Sequence, residues 1–115
     1  MDLSKQNLAR SPVVTSGLQE AELQIRWSGE VTALNSVELG VHTESELSQT
    51  SSGMAVVIDL SRVTFVDSTG IGLMLRFKKN LKRRDINLKF TNATAPVRNV
   101  FHHTRLEEYL LDEGK

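Results

Sequence analysis

Two adjacent hydroxyl side chains, Ser68 and Thr69, are the residues of this chain best placed to take part in chemistry. They lie in the segment Asp67-Ser68-Thr69-Gly70-Ile71-Gly72, between an apolar run and an amphipathic stretch. A hydroxyl at the start of a helix can accept a phosphoryl group, which adds about −1.5 to −2 charges at neutral pH. The segment predicts a phosphorylatable docking point; capping and first-turn hydrogen bonds are the plainer explanation of the same hydroxyls.

The residues after Asp67 carry the pattern of one amphipathic helix. Asp67 is a good N-cap, because its carboxylate can accept a hydrogen bond from a free backbone N–H at the positive helix end. At 100° per residue, the apolar side chains lie on one arc of the helix, together with Lys78 and Gly70. Gly70 has no side chain and therefore allows close packing on a sheet. The opposite arc contains Ser68, Gly72, Arg76, Lys79 and Arg83. The pattern predicts a helix from Ser68 to about Arg84 that presents a hydroxyl, bare backbone and a basic rim to water.

Other polar residues have simpler explanations than catalysis or metal binding. His102 and His103 are adjacent, so on a helix they diverge by about 100° and are poorly placed to share a metal. Asp59 closes an apolar strand, where a carboxylate commonly bonds nearby backbone. Gly70 and Gly72 lack the Lys-Ser/Thr sequel of a phosphate-binding loop. The sequence therefore predicts no catalytic residues, no metal site and no cofactor.

Composition and charge argue against several classes of partner. The 115 residues include 14 basic and 14 acidic side chains, so no global field favours nucleic acid or an anionic membrane. The basic cluster Lys78–Arg84 suits a helix C-terminus and lacks interleaved aromatic residues for base stacking. Cysteine is absent, Met1–Arg10 is too polar for a signal peptide, and no apolar run approaches the ~20 residues of a membrane helix. We expect a cytoplasmic protein that binds neither nucleic acid nor membrane.

Apolar periodicity predicts the strands of an α/β domain. Leu23–Trp27 and Ile86–Phe90 alternate apolar and polar residues, as half-buried strands do, whereas Met54–Leu60 is nearly continuously apolar, as is typical of a central parallel strand. A weak first strand is expected at Pro12–Thr15, and Ser16 and Gly17 are expected to form the turn that follows it. Tyr109–Leu111 is expected to be a final edge strand.

Helices are expected between these strands. Asn35 with Glu38 resembles a capping box that would start a helix ending near the Ser/Thr-rich stretch Ser48–Ser52. Its expected packing face is Leu34, Val37, Val41 and Leu47. Pro96 suits the first turn of a short helix that runs to His102. We therefore predict a flexible N-terminus at residues 1–10 and one α/β domain at residues 11–115, with a mixed four- to five-stranded sheet packed with α-helices.

Three stretches of the chain resemble the STAS domain family, and in particular its stand-alone bacterial anti-sigma factor antagonists. The segment Val56–Gly72 (VVIDLSRVTFVDSTGIG) carries most of the resemblance, Pro96–Phe101 (PVRNVF) supports it, and Ser28–Val31 (SGEV) is similar to a short motif after the family's second strand. From first to last, these stretches span about two thirds of the chain.

The resemblance implies a role in partner switching. In that family the hydroxyl directly after the Asp is phosphorylated by a partner that is both anti-sigma factor and serine kinase, and here that hydroxyl is Ser68. The unmodified protein would capture the anti-sigma kinase and free a sigma factor, and a PP2C-type phosphatase would reset the phosphorylated form. The expected partner-binding residues are Asp67, Ser68, Thr69, Gly70, Gly72, Arg76, Lys79 and Glu30. The alternative is a constitutive STAS scaffold, in a transporter or a stress-signalling complex, that binds through the same surface without modification.

The chain departs from the family pattern at three places. Thr32 stands where the family often has an acidic residue shortly after its Gly-Glu, so a partner contact at this position is not implied. Arg105 follows Thr104 where a Gly commonly ends the family's third helix, so a left-handed helix stop is expected to be less favourable. Lys115 comes soon after the last predicted strand, so the family's terminal helix is expected to be short or missing.

Overall fold

The computed structural model describes residues 15–19 and 22–111, and all the elements below lie within these ranges. The strands are β1 (Thr15–Gln19), β2 (Glu22–Val31), β3 (Ala55–Val66) and β4 (Asn87–Thr91). The helices are α1 (Ser36–Leu47), α2 (Ser68–Arg83), α3 (Ala95–His103) and α4 (Glu107–Leu111). Strands and helices alternate from β2 to α3, as the apolar periodicities predict.

The strands form one mixed sheet whose spatial order follows the chain, β1-β2-β3-β4. β1 is antiparallel to β2, whereas β2 with β3 and β3 with β4 pair in parallel. Helices α1 and α2 provide the crossovers that parallel neighbours require. Val31 pairs with Val66 at the carboxyl ends of β2 and β3, so the loop after β2 lies beside the β3–α2 junction. The predicted α/β fold with a four- to five-stranded mixed sheet is confirmed.

Trp27 on β2 connects the sheet to both crossover helices. Its ring is fully buried, with centroid distances of 6.4 Å to Phe77 of α2 and 5.7 Å to Phe90 of β4. Its indole N–H donates a 3.0 Å hydrogen bond to the hydroxyl of Thr43 on α1, so this buried donor is satisfied. Because α1 and α2 both contact this one side chain, they lie on the same side of the sheet.

Helix α2 confirms the predicted phase. It begins at Ser68 and ends at Arg83, one residue before the expected end. Its buried residues are Gly70, Ile71, Leu73, Met74, Phe77 and Leu81. The ammonium group of Lys78 donates to the Leu88 carbonyl at 2.7 Å and lies 5.5 Å from the centre of the Tyr109 ring. The long Lys78 stem therefore packs along the apolar arc while its charged end finds polar and aromatic partners.

The predicted packing face of α1 is wrong except for Leu47, which is buried as expected. Leu34, Val37 and Val41 were expected inside, but their side chains are 97%, 78% and 62% exposed. The buried residues of this helix are Ser36, Leu39, Thr43 and Leu47. The Trp27 indole needs a buried acceptor, and Thr43 supplies it only when the helix turns its hydroxyl-bearing side inward. Valines on the opposite side are consequently left in water.

The predicted capping box at Asn35 is also absent. Asn35 precedes α1 but makes no side-chain cap. Its Oδ1 instead accepts from the backbone N–H of Thr32 at 2.8 Å, and its Nδ2 donates to the Glu30 carbonyl at 2.7 Å. Asparagine side chains commonly form such local bonds in turns. Asn35 therefore holds the loop between β2 and α1 against the end of β2.

The predicted strand at Tyr109–Leu111 is wrong as well, because these residues belong to α4. After α3, Arg105 adopts a left-handed conformation with φ of 62°, and the Leu106 N–H donates to the Phe101 carbonyl at 2.9 Å. A left-handed stop therefore forms without glycine. The Leu110 N–H then donates to the Leu106 carbonyl at 2.8 Å, and the Leu110 side chain is fully buried. Periodicity cannot separate a strand from a helix in so short an apolar run.

The first strand lies further along the chain than predicted. It was expected at Pro12–Thr15 with a turn at Ser16 and Gly17, but both of these residues pair with β2 inside β1. Gly and Ser are frequent in turns, yet the antiparallel ladder along β2 gives these backbone groups partners in an extended strand. Residues 12–14 and the predicted flexible segment at residues 1–10 lie outside the described residues.

Candidate functional site

Asp67 joins the start of α2 to the loop between β2 and α1. One carboxylate oxygen accepts from the Gly70 N–H at 2.9 Å, which is the predicted N-cap, and the other accepts from the Ala33 N–H at 3.0 Å. The Asp67 N–H donates to the Val31 carbonyl at 3.1 Å. Hydrogen bonds from the Gly70 N–H, foremost, and from Ala33 hold the pKa of the Asp67 carboxyl below its ordinary value. Asp67 is therefore anionic at neutral pH, and its hydrogen bonds hold the start of α2 against the loop between β2 and α1.

Ser68 and Thr69 are the first two residues of α2, and both side chains are exposed. The side-chain cap is supplied by Asp67, which accepts from the Gly70 N–H, so neither hydroxyl acts as that cap. Within the described part of the chain, neither hydroxyl makes a side-chain hydrogen bond. The capping explanation considered for these hydroxyls is thus not realised, and both oxygens face solvent.

Gly70 and Gly72 have different environments although they lie two residues apart on α2. A Cβ atom at Gly70 would lie 2.2 Å from the Val31 carbonyl oxygen and 2.9 Å from Val31 Cγ1. Gly70 is buried, so it packs α2 against the end of β2 and does not itself present a surface to a partner. A Cβ atom at Gly72 would meet nothing within 4 Å. Gly72 therefore leaves an open patch of helix backbone next to the hydroxyls.

Basic residues continue the exposed surface of α2 beyond Gly72. The side chains of Arg76, Lys79 and Arg83 are exposed, as the helical phase predicts. In the part of the chain that the structure describes, no carboxylate pairs with Arg76 or Lys79. The helix contains five basic residues and no acidic one. A partner that covers this surface therefore meets a local positive field, although the formal net charge of the chain is zero.

Glu30 lies at the same edge of the sheet as Asp67. Its side chain is exposed, and the next residue, Val31, accepts the Asp67 N–H. Thr32 is nearly buried, and its hydroxyl lies 3.4 Å from Asn35 Oδ1. Thr32 therefore makes its contact within the loop and presents little surface to a partner. The structure thus brings Glu30 to the loop edge that holds Asp67, the residue next to Ser68.

Sequence reasoning missed the exposed apolar side chains of the neighbouring loop and of α1. Leu34 follows Ala33, the residue bonded to Asp67, and Val37 and Val41 continue the surface along α1. The available signal was the spacing of Leu39, Thr43 and Leu47, which also forms a helical face and leaves the two valines outside. Treating Thr43 as a polar residue hid that alternative.

Asp59 belongs to a separate network inside the sheet. Its carboxylate accepts from the Ser61 N–H at 2.9 Å, from Arg26 at 3.2 Å and from Asn92 at 3.2 Å. Burial raises the pKa of Asp59, but these hydrogen bonds, led by that from Ser61, outweigh it and hold the pKa below its ordinary value. The predicted backbone bonding of Asp59 is confirmed, and it leaves Asp59 an anion with structural partners.

The described residues can also be compared with what a membrane span and a metal site require. No described helix combines the length and the apolar character needed to cross a bilayer. No group of three His, Cys, Asp or Glu side chains in residues 15–19 and 22–111 is arranged to hold a metal ion.

Comparison with solved structures identifies proteins of the same fold. An anti-sigma factor antagonist from Mycobacterium paratuberculosis is 20% identical, with a TM-score of 0.73 over 87% of this chain and 83% of its own. The anti-sigma factor antagonist SpoIIAA in its unphosphorylated form is 20% identical, with a TM-score of 0.67 over 86% of both chains. The murine anion transporter Slc26a9 is 18% identical, with a TM-score of 0.69 over 76% of this chain and 14% of the transporter.

These likenesses, at 18–20% identity, show a shared fold. Membership rests on the sequence itself, because the family model described as "Mlab, STAS domain" matches residues 14–112. That range contains the Asp67-Ser68 junction and every element from β1 to α4. The protein therefore belongs to the STAS domain family.

Proposed function

We propose that this protein is an anti-sigma factor antagonist in a partner-switching pathway. It binds an anti-sigma serine kinase when unphosphorylated and is released by phosphorylation of Ser68. The observation that carries the proposal is the Ser68 hydroxyl, which is exposed and unbonded at the start of α2 in a STAS domain whose N-cap is already supplied by Asp67. The protein acts by binding, and the kinase supplies the chemistry.

The site can accept a phosphate without losing its fold. Anions at a helix N-terminus interact favourably with the helix dipole and with free backbone N–H groups. Asp67 opposes this, because its carboxylate is anionic and adjacent. The two effects oppose each other at an exposed position, so phosphorylation leaves the folded state nearly as stable as before.

Binding responds to the same phosphate much more strongly. A phosphate buried in a closed interface loses its hydration, and mispaired charges in such interfaces commonly cost about 2–5 kcal/mol. The open backbone at Gly72 supports close approach of the partner, so little space remains for three added oxygens. A loss of this size weakens binding at least tenfold. Ser68 is also exposed enough for a PP2C-type phosphatase to remove the phosphate and reset the protein.

A constitutive STAS scaffold is the second candidate. In a scaffold the same surface would bind a partner without modification, and an anion transporter is among the proteins that share this fold. The two candidates differ in one property. A scaffold keeps its partner whether or not Ser68 is phosphorylated.

The experiment is a kinase assay with the cognate anti-sigma kinase, ATP and the purified protein, followed by mass spectrometry. Phosphate is expected on Ser68 and is expected to be lost in Ser68→Ala. Thr69→Ala is the matched control, because the neighbouring hydroxyl is also exposed, and phosphate should still appear on Ser68 in this variant. Modification confined to Thr69, or no modification at all, would contradict the assignment of Ser68.

A further inference from the structure

Among the described residues, several exposed apolar side chains lie on α1 and on the loop before it, which is hydrogen-bonded to Asp67. Within the described residues, five large hydrophobic side chains are exposed, and three of them are Leu34, Val37 and Val41. We call these three residues the apolar patch. Single exposed hydrophobic residues are ordinary, whereas a contiguous group bordered by polar residues marks an interaction surface. The patch lies on α1 and the loop before it, apart from the hydroxyls on α2.

A groove between α1 and α2 continues the apolar patch. It encloses about 400 Å³, and its lining includes Val37, Gly40 and Val41 from α1 with Leu73, Arg76 and Phe77 from α2. A Cβ atom at Gly40 would lie 3.4 Å from Leu73 Cδ1, so the small residue keeps this channel open. A concave apolar channel between two helices accommodates the side chains of a third helix that lies along it.

One charged residue lines each wall of the groove, Glu44 on α1 and Arg76 on α2, and the two helices differ in charge overall. Helix α1 contains three glutamates and no Lys or Arg, whereas α2 contains five basic residues and no Asp or Glu. Glu44 and Arg76 line the groove from opposite sides. Complementary charges fix the register of a bound element, so the element that fits has carboxylates over Arg76 and Lys79 and a basic residue over Glu44.

The groove is continuous with the surface around Ser68. Asp67 bonds the Ala33 N–H, so Leu34 directly follows a residue anchored to the Ser68 turn. Arg76 lies eight residues after Ser68 on the same helix, which corresponds to roughly 12 Å at 1.5 Å per residue. An element of two to three helical turns in the groove therefore reaches the hydroxyl.

The size of the apolar patch argues against a self-sufficient dimer interface. A stable protein interface buries about 800 Å² on each partner, and three aliphatic side chains supply only a fraction of that area. The patch must therefore be the apolar part of a larger contact that also covers the polar surface near Ser68. A partner already held at Ser68 provides such a contact.

We propose that the apolar patch and the α1–α2 groove seat one amphipathic helix of the anti-sigma kinase. Its apolar residues, spaced i, i+3 or i+4 and i+7, contact Leu34, Val37 and Val41, and its carboxylates lie over Arg76 and Lys79. This inference rests on the proposed function and assigns the partner a second contact, distinct from the phosphorylated turn. The patch supplies the apolar part of the contact, and Ser68 supplies the switch.

The test is titration calorimetry of the purified cognate kinase, loaded with ADP, into the parent protein and matched variants. Val37→Ser/Val41→Ser and Arg76→Glu are expected to bind at least tenfold more weakly than the parent. Lys82→Glu is the charge control, because it is exposed on α2 but lies outside the groove, and it should bind within about twofold. Thermal unfolding should be nearly unchanged, since the altered side chains are exposed. If the double variant unfolds, Leu34→Ser carries the same test from the loop.

The outcomes separate this inference from the proposed function. If the groove variants bind as the parent does while Ser68 phosphorylation still releases the kinase, the groove is not the docking site and the proposed function stands. If the parent binds no anti-sigma kinase, the proposed function fails and this inference falls with it. Sedimentation of the protein alone supplies the remaining outcome: a dimer that Val37→Ser/Val41→Ser converts to monomer assigns the patch to a second copy and overturns the inference.

Discussion

Two glycines in the first turns of α2 should respond in opposite directions to the same substitution. Both have ordinary helical backbone, since neither is among the glycines with positive φ. Replacing glycine by alanine within a helix is favourable by about 0.5–1 kcal/mol when the methyl group has space. At Gly72 the added Cβ meets nothing within 4 Å, so Gly72→Ala should raise the free energy of unfolding by up to ~1 kcal/mol.

At Gly70 the same methyl group would collide with backbone. It would lie 2.2 Å from the Val31 carbonyl oxygen, which is held in β2 and accepts the Asp67 N–H at 3.1 Å. Overpacking of this kind costs about 1–3 kcal/mol, and displacing the carbonyl also weakens a hydrogen bond worth about 0.5–1.5 kcal/mol. After the gain in helix propensity, Gly70→Ala should lower the free energy of unfolding by about 1–3 kcal/mol.

Urea unfolding followed by circular dichroism measures this pair directly. The midpoint should rise slightly for Gly72→Ala and fall for Gly70→Ala, with unchanged slopes, because a change in midpoint at constant slope reports stability. The parent protein and the two variants form a matched set within one helix. Equal midpoints for the two variants, or a more stable Gly70→Ala, would show that α2 does not pack on the end of β2 as described.

Four further results are expected. Asp67→Ala should lower the free energy of unfolding by about 0.5–2 kcal/mol in urea titrations, because it removes the N-cap, and an unchanged midpoint would refute the cap. Asp67 should stabilise the fold fully above its unfolded pKa, near 3.9, and should lose that contribution as the pH falls through its lower folded pKa. The difference in free energy of unfolding between the parent and Asp67→Asn should therefore become smaller below about pH 4. A difference that stays constant with pH would contradict this. Thr43→Val should cost about 1–3 kcal/mol, since the Trp27 indole loses its buried acceptor, and a neutral result would exclude that role. Gly72→Glu should unfold at the temperature of the parent but bind the cognate kinase at least tenfold more weakly in calorimetry; unimpaired binding would place the docking surface elsewhere, and unfolding would place Gly72 in the core.

The elements around Ser68 could be predicted because several local signals agree there. Asp67 is a strong N-cap, the apolar spacing after it has one consistent helical phase, and the preceding apolar run is long enough to be a central strand. The structure confirms the cap, the helix Ser68–Arg83 and the inward position of Gly70. The helical phase turns position 70 toward the end of β2. The residue there is Gly70 because only a residue without a side chain fits so close to β2.

The phase of α1 could not be predicted, because a tertiary contact decides it. Val37 and Val41 lie on one face and Leu39 and Leu47 on the other, so hydrophobicity alone does not choose between the two faces. The indole of Trp27 on β2 donates to the Thr43 hydroxyl, and this buried bond adds to the burial of Leu39 and Leu47 on the same face. The sequence therefore allowed two phases for α1, and only the phase with Leu39, Thr43 and Leu47 inside leaves the apolar patch exposed.

The ends of the described chain show the limits of short patterns. Five-residue elements offer too few positions to distinguish periods of 2 and 3.6, so Tyr109–Leu111 was assigned to a strand although it is helical. Arg105 shows the same limit for turn residues, since it occupies a left-handed conformation that favours glycine. Leu110, which follows this turn, is buried in the core.

One binding measurement tests the proposed phosphorylation switch at Ser68 most directly. The purified protein, unmodified or carrying phosphate on Ser68 alone, is titrated with the cognate anti-sigma kinase held in its ADP form, and the fold of each form is checked by thermal unfolding. We expect tight binding of the unmodified protein, at least tenfold weaker binding of the phosphorylated protein, and similar unfolding temperatures. Equal affinities of the two well-folded forms would contradict a phosphorylation switch at Ser68.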